Sequence, residues 1–483
     1  MEPIKFPDIP LYSGWGAPLR SETTARDIAV VQGEVPAGLQ GCWFRCGPDR
    51  QFPPMTGDDI FIDGEGMAHM FRFESGRVDY LSRWVRTERF VRQEQARRSL
   101  FGRYRNRYTN DPSVAGVSMG TANTNLVWHG GKLLVLKEDD LPYELDPQTL
   151  ATRGRYDYDG QVKAVSMTAH PKVDWITNEL LTFSFQARGD ATRDVVFHVI
   201  GSDQKVRNEI WFEAPWAASV HDFAVTPTHI VIPFFPLITD LEVLKSGGPF
   251  YQYHPDKQTI VAVIPRDGAA GDIRWFRGPI TTAGHMLNAF NEGSRLHLDL
   301  CLYHGNCFPF FPTPQGEISP AVPPVLSRMT FDLAANSDAF ATQQLSAESC
   351  EMPRTDDRYQ GVAYRYGYVI CGRTSDGASS VGRIDVATGA VDVWSPGGLA
   401  SVHEPQFVPR SPGAAEGDGW LLVIVNRLDQ GFSDLAVLDA TNLSAGPVAL
   451  LKLPTRVRST FHGTWAPTQA LETGLYAFKR TAA

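Results

Sequence analysis

The sequence has no apolar run approaching the roughly 20 residues that a membrane-spanning helix needs. Residues 1–15 also lack the apolar core of a secretory signal. No low-complexity linker divides the chain, although its 483 residues could hold several average domains. The sequence therefore predicts a single domain over residues 1–483, cytoplasmic and without stable membrane association.

Cysteine is scarce, and an excess of positive charge is absent. The chain has only 6 cysteines, and Cys42 and Cys46 lack the spacing and the second pair that a zinc site requires. Without a secretory signal, we expect these cysteines to be reduced thiols. The formal net charge is -9 and no basic stripe stands out, which argues against a nucleic-acid partner.

Helical periodicity is also rare, and the best example covers residues 85–101. The 43 glycines and 34 prolines suit many short strands joined by turns. Four β-branched or aliphatic runs bounded by turn residues predict strands at residues 132–136, 230–233, 421–425 and 448–453. The chain is therefore expected to be all-β.

A strand–turn–strand theme recurs along the chain. It begins at Tyr143, Tyr251, Gly382 and Ala436, and each turn contains Asp, Thr or Asn. Asp and Asn side chains favour such turns because they accept hydrogen bonds from nearby backbone N–H groups. The theme has no strict period but spreads over most of the chain, which favours a β-propeller with diverged blades over a sandwich.

Four of the 12 histidines share an unusual context. Each lies beside small or apolar residues near a strand end, and far in sequence from the others: His170, His221, His285 and His462. Strands of different propeller blades converge on one axis, so these four side chains could meet at a single metal ion. Imidazole binds Zn, Cu, Fe and Ni, so this set alone does not name the metal.

Three glutamates are candidates to orient these histidines. A metal-bound imidazole usually donates its second N–H to a carboxylate or a carbonyl. Glu138, Glu351 and Glu404 each precede a polar or proline-bearing turn. His403 is next to Glu404, and neighbouring side chains on a strand point to opposite faces. We therefore expect Glu404, not His403, to face the metal.

These histidine and glutamate contexts resemble the signature of the carotenoid cleavage oxygenases. The resemblance continues through "GEVPAGLQGCWFRCGPDRQFPP" at residues 33–54, "DGEGMAHMFRF" at 63–73 and "EMPRTDDRYQG" at 351–361. It extends to "EPQFVPR" at 404–410 and "FHGTW" at 461–465. Many motifs in family order, spread over nearly the whole chain, make the resemblance specific.

The resemblance implies a seven-bladed β-propeller, capped by loops and a few short helices, with one iron(II) on the propeller axis. It implies that the iron ligands are His170, His221, His285 and His462. Glu138, Glu351 and Glu404 would then accept hydrogen bonds from His221, His285 and His462 respectively. His170 would lack a glutamate partner.

Within the family, the chain resembles the lignostilbene dioxygenase branch. That branch has a tyrosine and a lysine that contact the phenol of the substrate, and Tyr104 and Lys137 stand in matching contexts. "GTANTN" at residues 120–125 is also similar to the branch. One position departs from it, because Ile62 stands where the branch can carry a phenylalanine that stacks on the substrate. Ile62 can pack against a ring but cannot stack as an aromatic side chain does.

This branch implies an iron(II)- and O2-dependent cleavage of the central C=C bond of 4-hydroxystilbenes to two aromatic aldehydes. With a lignin-derived stilbene, one product would be vanillin or a close relative. Lys137 would stabilise the phenolate, and Tyr104 would fix its oxygen and could relay the proton. The apolar segments at residues 233–244 and 307–314 are expected to flank the substrate tunnel, and a homodimer is compatible with the resemblance.

Three other readings compete with this one. The first is cleavage of carotenoids or apocarotenoids, against which Tyr104 and Lys137 argue because a polyene has no phenol to bind. The second is a propeller that only binds a protein partner, which would have no use for four histidines at its axis. The third is a hydrolase that uses calcium or zinc, although calcium prefers oxygen ligands.

Overall fold

The computed structural model describes residues 4–57 and 59–478 of the chain. The predicted domain also includes residues 1–3, 58 and 479–483, which lie outside the described residues. The described part is all-β, as predicted, with short helices between strands. Within it, no helix is long and apolar enough to cross a membrane. All 6 cysteines are buried and unpaired, as expected for reduced thiols.

The strands are short and follow one another along the whole chain. The first nine are β1 (Thr23–Ala25), β2 (Val30–Gly33), β3 (Gly41–Asp49), β4 (Glu65–Glu74), β5 (Arg77–Trp84), β6 (Asn125–His129), β7 (Lys132–Leu136), β8 (Tyr143–Leu145) and β9 (Thr152–Arg155). The next ten are β10 (Lys172–Val173), β11 (Leu180–Phe185), β12 (Asp194–Ile200), β13 (Val206–Glu213), β14 (Ala224–Val225), β15 (His229–Phe234), β16 (Leu237–Ile238), β17 (Gln252–Tyr253), β18 (Thr259–Pro265) and β19 (Arg274–Gly278). The last thirteen are β20 (Thr282–Glu292), β21 (Arg295–Tyr303), β22 (Val325–Asp332), β23 (Ala341–Arg354), β24 (Tyr366–Cys371), β25 (Ser380–Asp385), β26 (Val391–Trp394), β27 (Ala400–Val402), β28 (Gln406–Pro409), β29 (Gly419–Arg427), β30 (Phe432–Asp439), β31 (Pro447–Lys452) and β32 (Gly463–Pro467).

Antiparallel pairing arranges these strands, apart from β16 and β17, in groups of four or more. Three groups are consecutive in sequence or nearly so: β6–β9, β10–β13, and β14, β15, β18 and β19. The long strand β23 pairs with β22 through its first half and with β24 through its second half, so it joins the groups β20–β23 and β23–β26. The last large group runs from β27 and β28 to β31 and ends on β2.

The two ends of the chain meet in one sheet. The last strand, β32, pairs with β3, and their register places Trp43 opposite Trp465. Strand β2 likewise pairs with β31 near the C-terminus. The C-terminal strand β32 therefore completes a sheet of N-terminal strands, and the N-terminal strand β2 completes a sheet of C-terminal strands. The apolar core between the two sheets includes Trp43, Phe71, Leu422 and Leu435.

Three of the four predicted hairpins are confirmed. The strands that follow Tyr143, Gly382 and Ala436 pair as β8–β9, β25–β26 and β30–β31. In each turn an aspartate accepts hydrogen bonds from backbone N–H groups two or three residues later, as at Asp146, Asp385 and Asp439. These side chains form the turns that the sequence predicted.

The hairpin predicted at Tyr251 is wrong. Its first strand, β17, pairs with β16 in a separate two-stranded sheet. Its second strand, β18, is apolar and lies between β15 and β19 in a larger sheet. The burial of β18 in that sheet separates the two strands.

The helices are few. They are α1 (Glu88–Ala96), α2 (Leu241–Lys245) and α3 (Thr468–Thr473), with short 3-10 helices at Gly14–Gly16, Arg107–Thr109, Pro112–Val114, Ala270–Asp272, Asp357–Tyr359 and Leu443–Ala445. The predicted helix at residues 85–101 is α1, with tighter bounds. It begins after Thr87, whose hydroxyl caps the Phe90 N–H at 3.1 Å, and it ends where Arg97 adopts a left-handed conformation.

Candidate metal and substrate site

Each strand group contributes one of the seven histidines and glutamates singled out in the sequence. In chain order these are Glu138 after β7, His170 before β10, His221 before β14, His285 in β20, Glu351 in β23, Glu404 between β27 and β28, and His462 before β32. Four groups thus supply a histidine, and the other three supply a glutamate. The fold brings together residues that lie more than 300 positions apart in sequence.

The four histidines converge on one point. His170 Nε2 lies 3.1 Å from His221 Nε2, which in turn lies 3.3 Å from His285 Nε2. The candidate ligand nitrogens of His170, His221, His285 and His462 all lie within 4.8 Å of one another. Nitrogens that each sit about 2.1 Å from a shared metal ion lie about 3–4 Å apart, so this group could hold one.

Three carboxylates fix the orientation of three of these rings. His462 Nδ1 lies 2.8 Å from Glu404 Oε1, and His285 Nδ1 lies 2.7 Å from Glu351 Oε2. The corresponding distance from His221 Nδ1 to Glu138 Oε1 is 3.2 Å. These are the partners that the sequence predicted. An Nδ1–H that donates to a carboxylate leaves Nε2 as the free acceptor, so the Nε2 atoms are available to a metal.

The fourth histidine has a different environment. Among the described residues, no glutamate lies within hydrogen-bond distance of His170, in line with the prediction. The nearest carboxylate, Asp222 Oδ1, is 4.0 Å from His170 Nδ1. Asp222 accepts instead from Lys172 Nζ at 2.7 Å and from the Met286 backbone N–H at 2.8 Å. His170 is therefore held by packing rather than by a direct ion pair.

Burial and neighbouring charges together set the protonation of groups at the site. Burial and the neighbouring His462 and His221 rings hold the pKa of His170 well below its usual value. Burial also lowers the pKa of His462 to about 4, against the opposing effect of Glu404. Burial alone would raise the pKa of Glu404, but His462 and Arg354 bring it down to about 2. Neutral imidazoles at His170 and His462 and an ionised Glu404 follow at neutral pH. Against the effect of burial, by contrast, Glu351 raises the pKa of His285 above its usual value.

Several residues that support the glutamates were not apparent from sequence. Arg45 Nη1 donates to Glu404 Oε2 at 2.7 Å, and Tyr303 donates its hydroxyl to Glu351 Oε1 at 3.1 Å. His403 points away from the metal position, where it bonds Thr460 at 2.7 Å and Asn426 at 2.8 Å. His403 and Glu404 therefore face different ways as expected, although both lie in the segment between β27 and β28 rather than in a strand.

A cavity of about 580 Å³ adjoins the histidines, and we call it the aromatic cavity. Its lining includes His221, His285, His462, Tyr104, Lys137, Ile62, Phe61, Phe308, Phe311, Phe461, Thr124, Ser219 and Met352. The residues predicted to contact the substrate therefore line the same cavity as the candidate metal ligands. Of the two segments expected to flank it, residues 307–314 contribute Phe308 and Phe311.

The other expected segment, residues 233–244, does not line this cavity. Its apolar members Phe234, Phe235, Leu237 and Leu244 are buried in core clusters between neighbouring sheets. The expectation for this segment was wrong because apolar residues in a long strand-rich chain serve the core as readily as a ligand site.

Two polar groups at one end of the aromatic cavity, the Lys137 ammonium and the Tyr104 hydroxyl, have no close carboxylate partner in the part of the chain that the structure describes. Lys137 Nζ is buried and donates to two neutral oxygens, Ile62 O at 3.1 Å and Asn123 Oδ1 at 3.2 Å. Among the described residues, no carboxylate lies within 4.0 Å of Lys137 Nζ. No described residue forms a hydrogen bond with the Tyr104 hydroxyl. The Lys137 ammonium lies 5.1 Å from the centre of the Tyr104 ring. Burial, together with the nearby Glu138 charge, raises the pKa of Tyr104 well above its usual value.

The ring that is absent at Ile62 is present at the preceding position. Phe61 lines the aromatic cavity and meets Phe310 edge to face, with ring centres 5.5 Å apart. It also meets Phe461 edge to face at 6.2 Å. Ile62 lines the aromatic cavity as predicted, and the neighbouring Phe61 supplies an aromatic ring that the sequence did not point to.

Comparison with known proteins agrees with this geometry. The family described as retinal pigment epithelial membrane protein matches residues 16–467. The chain belongs to this family, that of the carotenoid cleavage oxygenases. Its relatives include isoeugenol monooxygenase of Pseudomonas nitroreducens, which is 42% identical over 93% of this chain and 96% of the relative.

Two lignostilbene enzymes are similarly related. Lignostilbene-alpha,beta-dioxygenase isozyme III of Sphingomonas paucimobilis is 39% identical over 95% of this chain and 96% of the relative. The crystal structure of Pseudomonas brassicacearum lignostilbene dioxygenase superposes with a TM-score of 0.93. It is 40% identical and covers 96% of this chain and 100% of that chain. The relatives that share this fold are thus named as oxygenases.

Proposed function

We propose that this protein is a non-haem iron(II) dioxygenase that cleaves the central C=C bond of 4-hydroxystilbenes, with O2, to two aromatic aldehydes. One observation carries the substrate class. A buried ammonium that no carboxylate of the described residues approaches within 4.0 Å, and a tyrosine hydroxyl without a hydrogen bond among those residues, share the aromatic cavity with three of the four clustered histidines. A phenol with a conjugated double bond has groups that complement both ends.

The donor set fits iron(II). Four imidazole nitrogens within 4.8 Å of one another are suited to a divalent transition metal, and three carboxylates orient the rings. We propose that His170, His221, His285 and His462 hold the iron, on the axis of a seven-bladed propeller whose blades are the strand groups. When bound there, iron(II) would supply activation of O2 next to the alkene.

The residues of the chain would prepare the substrate. Lys137 uses two of its three N–H donors within the protein, so the third can donate to a phenolate oxygen. Loss of the phenol proton in an apolar cavity is costly unless a cation is adjacent, and Lys137 supplies it. The negative charge then spreads through the conjugated system and enriches the double bond in electrons.

Tyr104 would complete the phenolate site. Its raised pKa keeps the hydroxyl protonated at neutral pH, so it acts as a hydrogen-bond donor to the substrate oxygen. Aromatic side chains along the cavity, including Phe61, Phe308 and Phe461, would pack against the rings of the substrate and exclude water. The reaction balances, since one alkene and one O2 yield two aldehydes.

A second candidate substrate is a shorter phenylpropenoid of the isoeugenol type. It has the same phenol, and the relative named isoeugenol monooxygenase is 42% identical to this chain. The aliphatic Ile62, in place of an aromatic residue, also reduces the demand for a second ring. Apocarotenoid cleavage stays the third alternative, although a polyene would leave the Lys137 charge without a partner.

The test is an aerobic incubation of iron(II)-loaded protein with four compounds: a 4-hydroxystilbene, its 4-methoxy analogue, isoeugenol and an apocarotenoid. We expect two aromatic aldehydes from the hydroxystilbene and no cleavage of the methoxy analogue. Preferred cleavage of isoeugenol would favour the second candidate. Cleavage of the apocarotenoid alone would overturn the role of Lys137 and Tyr104.

A further inference from the structure

A second cavity adjoins the histidines. It has a volume of about 730 Å³, and we call it the polar cavity. His170, His285 and His462 line it, so the same cluster borders both cavities. The proposed mechanism gives no role to this second cavity.

The two cavities lie on opposite sides of the histidine layer. At two of the histidines, a residue just before the histidine lines the aromatic cavity and a residue just after it lines the polar cavity. Ser219 and Asp222 are on either side of His221 in this way, and Phe461 and Thr464 are on either side of His462. The segments at His221 and His462 therefore cross the level of the histidines from one cavity to the other.

The chemistry of the two linings differs. The lining of the aromatic cavity includes four phenylalanines and two charged residues, whereas the lining of the polar cavity includes the charged residues Lys172, Asp222, Arg354, Asp357 and Glu404. Arg354 Nη2 lies 3.2 Å from Asp357 Oδ1, and Lys172 Nζ lies 2.7 Å from Asp222 Oδ1. A polar lining with balanced charges can stay hydrated up to the histidine rings.

One oxygen in the polar cavity has no partner. Asn125 is only 6% exposed and lines this cavity. Its Nδ2 donates to Ala169 O at 2.7 Å, but its Oδ1 is buried without any hydrogen bond. A buried amide oxygen without a donor costs free energy, so a small rotation of the Asn125 side chain that brings this oxygen to the cavity surface would gain a contact with a water molecule or a passing cation.

We propose that the polar cavity is the route by which a hydrated divalent cation reaches the four histidines, separate from the route of the organic substrate. The proposal rests on the metal site of the proposed function. A divalent cation binds its water strongly, and removing that water beside phenylalanine side chains would be costly. In the polar cavity, Asn125 Oδ1 and the Asp222 carboxylate can replace water molecules stepwise before the imidazoles bind.

The test measures cobalt(II) uptake by chelator-stripped protein, as metal bound after rapid quenching at successive times. Gln360→Trp narrows the polar cavity, and Ser219→Phe is the matched change in the aromatic cavity. We expect Gln360→Trp to slow uptake at least tenfold without lowering the final metal content. Ser219→Phe should leave the uptake rate unchanged while it lowers the turnover of the hydroxystilbene.

A measurement on the unmodified protein covers the case in which Gln360→Trp does not fold. The aromatic cavity is filled anaerobically with a 4-hydroxystilbene, and uptake of cobalt(II) is compared with and without this ligand. An unchanged rate is expected. A marked slowing by the ligand or by Ser219→Phe, or an unaltered rate in folded Gln360→Trp, would overturn the route. Unmodified protein that takes up no metal at all would overturn the proposed function itself.

Discussion

The two ends of the aromatic cavity differ in how completely the protein satisfies its own polar groups. At the metal end, the Nδ1 atoms of His221, His285 and His462 all have carboxylate partners. At the phenol end, the Lys137 ammonium has only neutral acceptors, and the Tyr104 hydroxyl has no hydrogen bond among the described residues. The first end is organised in advance, and the second is left for a ligand to complete.

This difference separates two properties that a mutation can change. Groups at the metal end should determine how tightly the metal is held, and groups at the phenol end should determine which substrate is cleaved. A substitution at one end is thus expected to leave the property of the other end intact.

Removal of a candidate metal ligand should have the largest effect. We expect His285→Ala to lose most bound iron and to lower turnover at least ~1,000-fold, or about 4 kcal/mol in the activation barrier. Metal content and aldehyde formation measure both. The control is His304→Ala, because His304 is exposed and outside the cluster. Full iron content in His285→Ala would contradict its proposed role.

Removal of the charge at the phenol end should affect cleavage alone. Lys137→Met keeps the apolar stem but loses the ammonium, and we expect kcat/KM for a 4-hydroxystilbene to fall about 100-fold. Iron content should stay at the level of the unmodified protein. Lys132→Met is the matched control, since Lys132 pairs with Glu144 near the surface. An unchanged kcat/KM would remove Lys137 from the mechanism.

The orienting carboxylates should tune metal affinity. Glu351 accepts from His285 Nδ1 at 2.7 Å, and we expect Glu351→Gln to weaken iron binding about 10- to 100-fold. Competition with a chelator measures the affinity. Glu242→Gln on exposed α2 serves as the control. If Glu351→Gln bound iron normally but altered substrate preference, the division between the two ends would be wrong.

The sequence predicted the metal end better than its supporting contacts. Each histidine and glutamate lies in a local context that marks a strand end, and the family resemblance orders them along the chain. Arg45 and Tyr303 have no such mark, because each reaches its glutamate only through the folded arrangement of distant strands. Their identity follows from tertiary packing rather than from any local pattern.

The fold shows the same difference between features that local sequence determines and features that depend on tertiary packing. Hairpins whose turns are formed by a local aspartate were predicted correctly, as at Asp146 and Asp385. The hairpin at Tyr251 failed because β18 pairs with β15 and β19, strands that lie outside the predicted hairpin. Local turn chemistry can be read from sequence, whereas the choice of a sheet partner depends on burial of the whole strand.

A smaller effect is expected from the second polar group at the phenol end. Tyr104→Phe removes one hydroxyl, and we expect kcat/KM for a 4-hydroxystilbene to fall about tenfold, the value of one hydrogen bond to a charged oxygen. Tyr108→Phe is the control, because Tyr108 is exposed. A fall as large as that of Lys137→Met would instead make Tyr104 the main contact of the phenol.

Substitution of Phe61 in the lining of the aromatic cavity should have the smallest effect and the clearest dependence on substrate. Phe61 is 49% exposed and packs edge to face on Phe310 and Phe461, so its ring can contact the second ring of a stilbene. We expect Phe61→Leu to raise KM for a hydroxystilbene about 2- to 10-fold, the range of one aromatic pair. Isoeugenol has no second ring, so its KM should not change.

A compensating substitution sharpens this test. Adding Ile62→Phe to Phe61→Leu moves the ring by one position and keeps the Ile62 carbonyl, which is a backbone acceptor for Lys137. If Phe61 acts by contact with the second ring, the double variant should recover part of the lost affinity for the stilbene and leave the KM for isoeugenol unchanged. An equal loss for isoeugenol in Phe61→Leu would mean that Phe61 shapes the cavity as a whole, and selectivity would then not be confined to the phenol end.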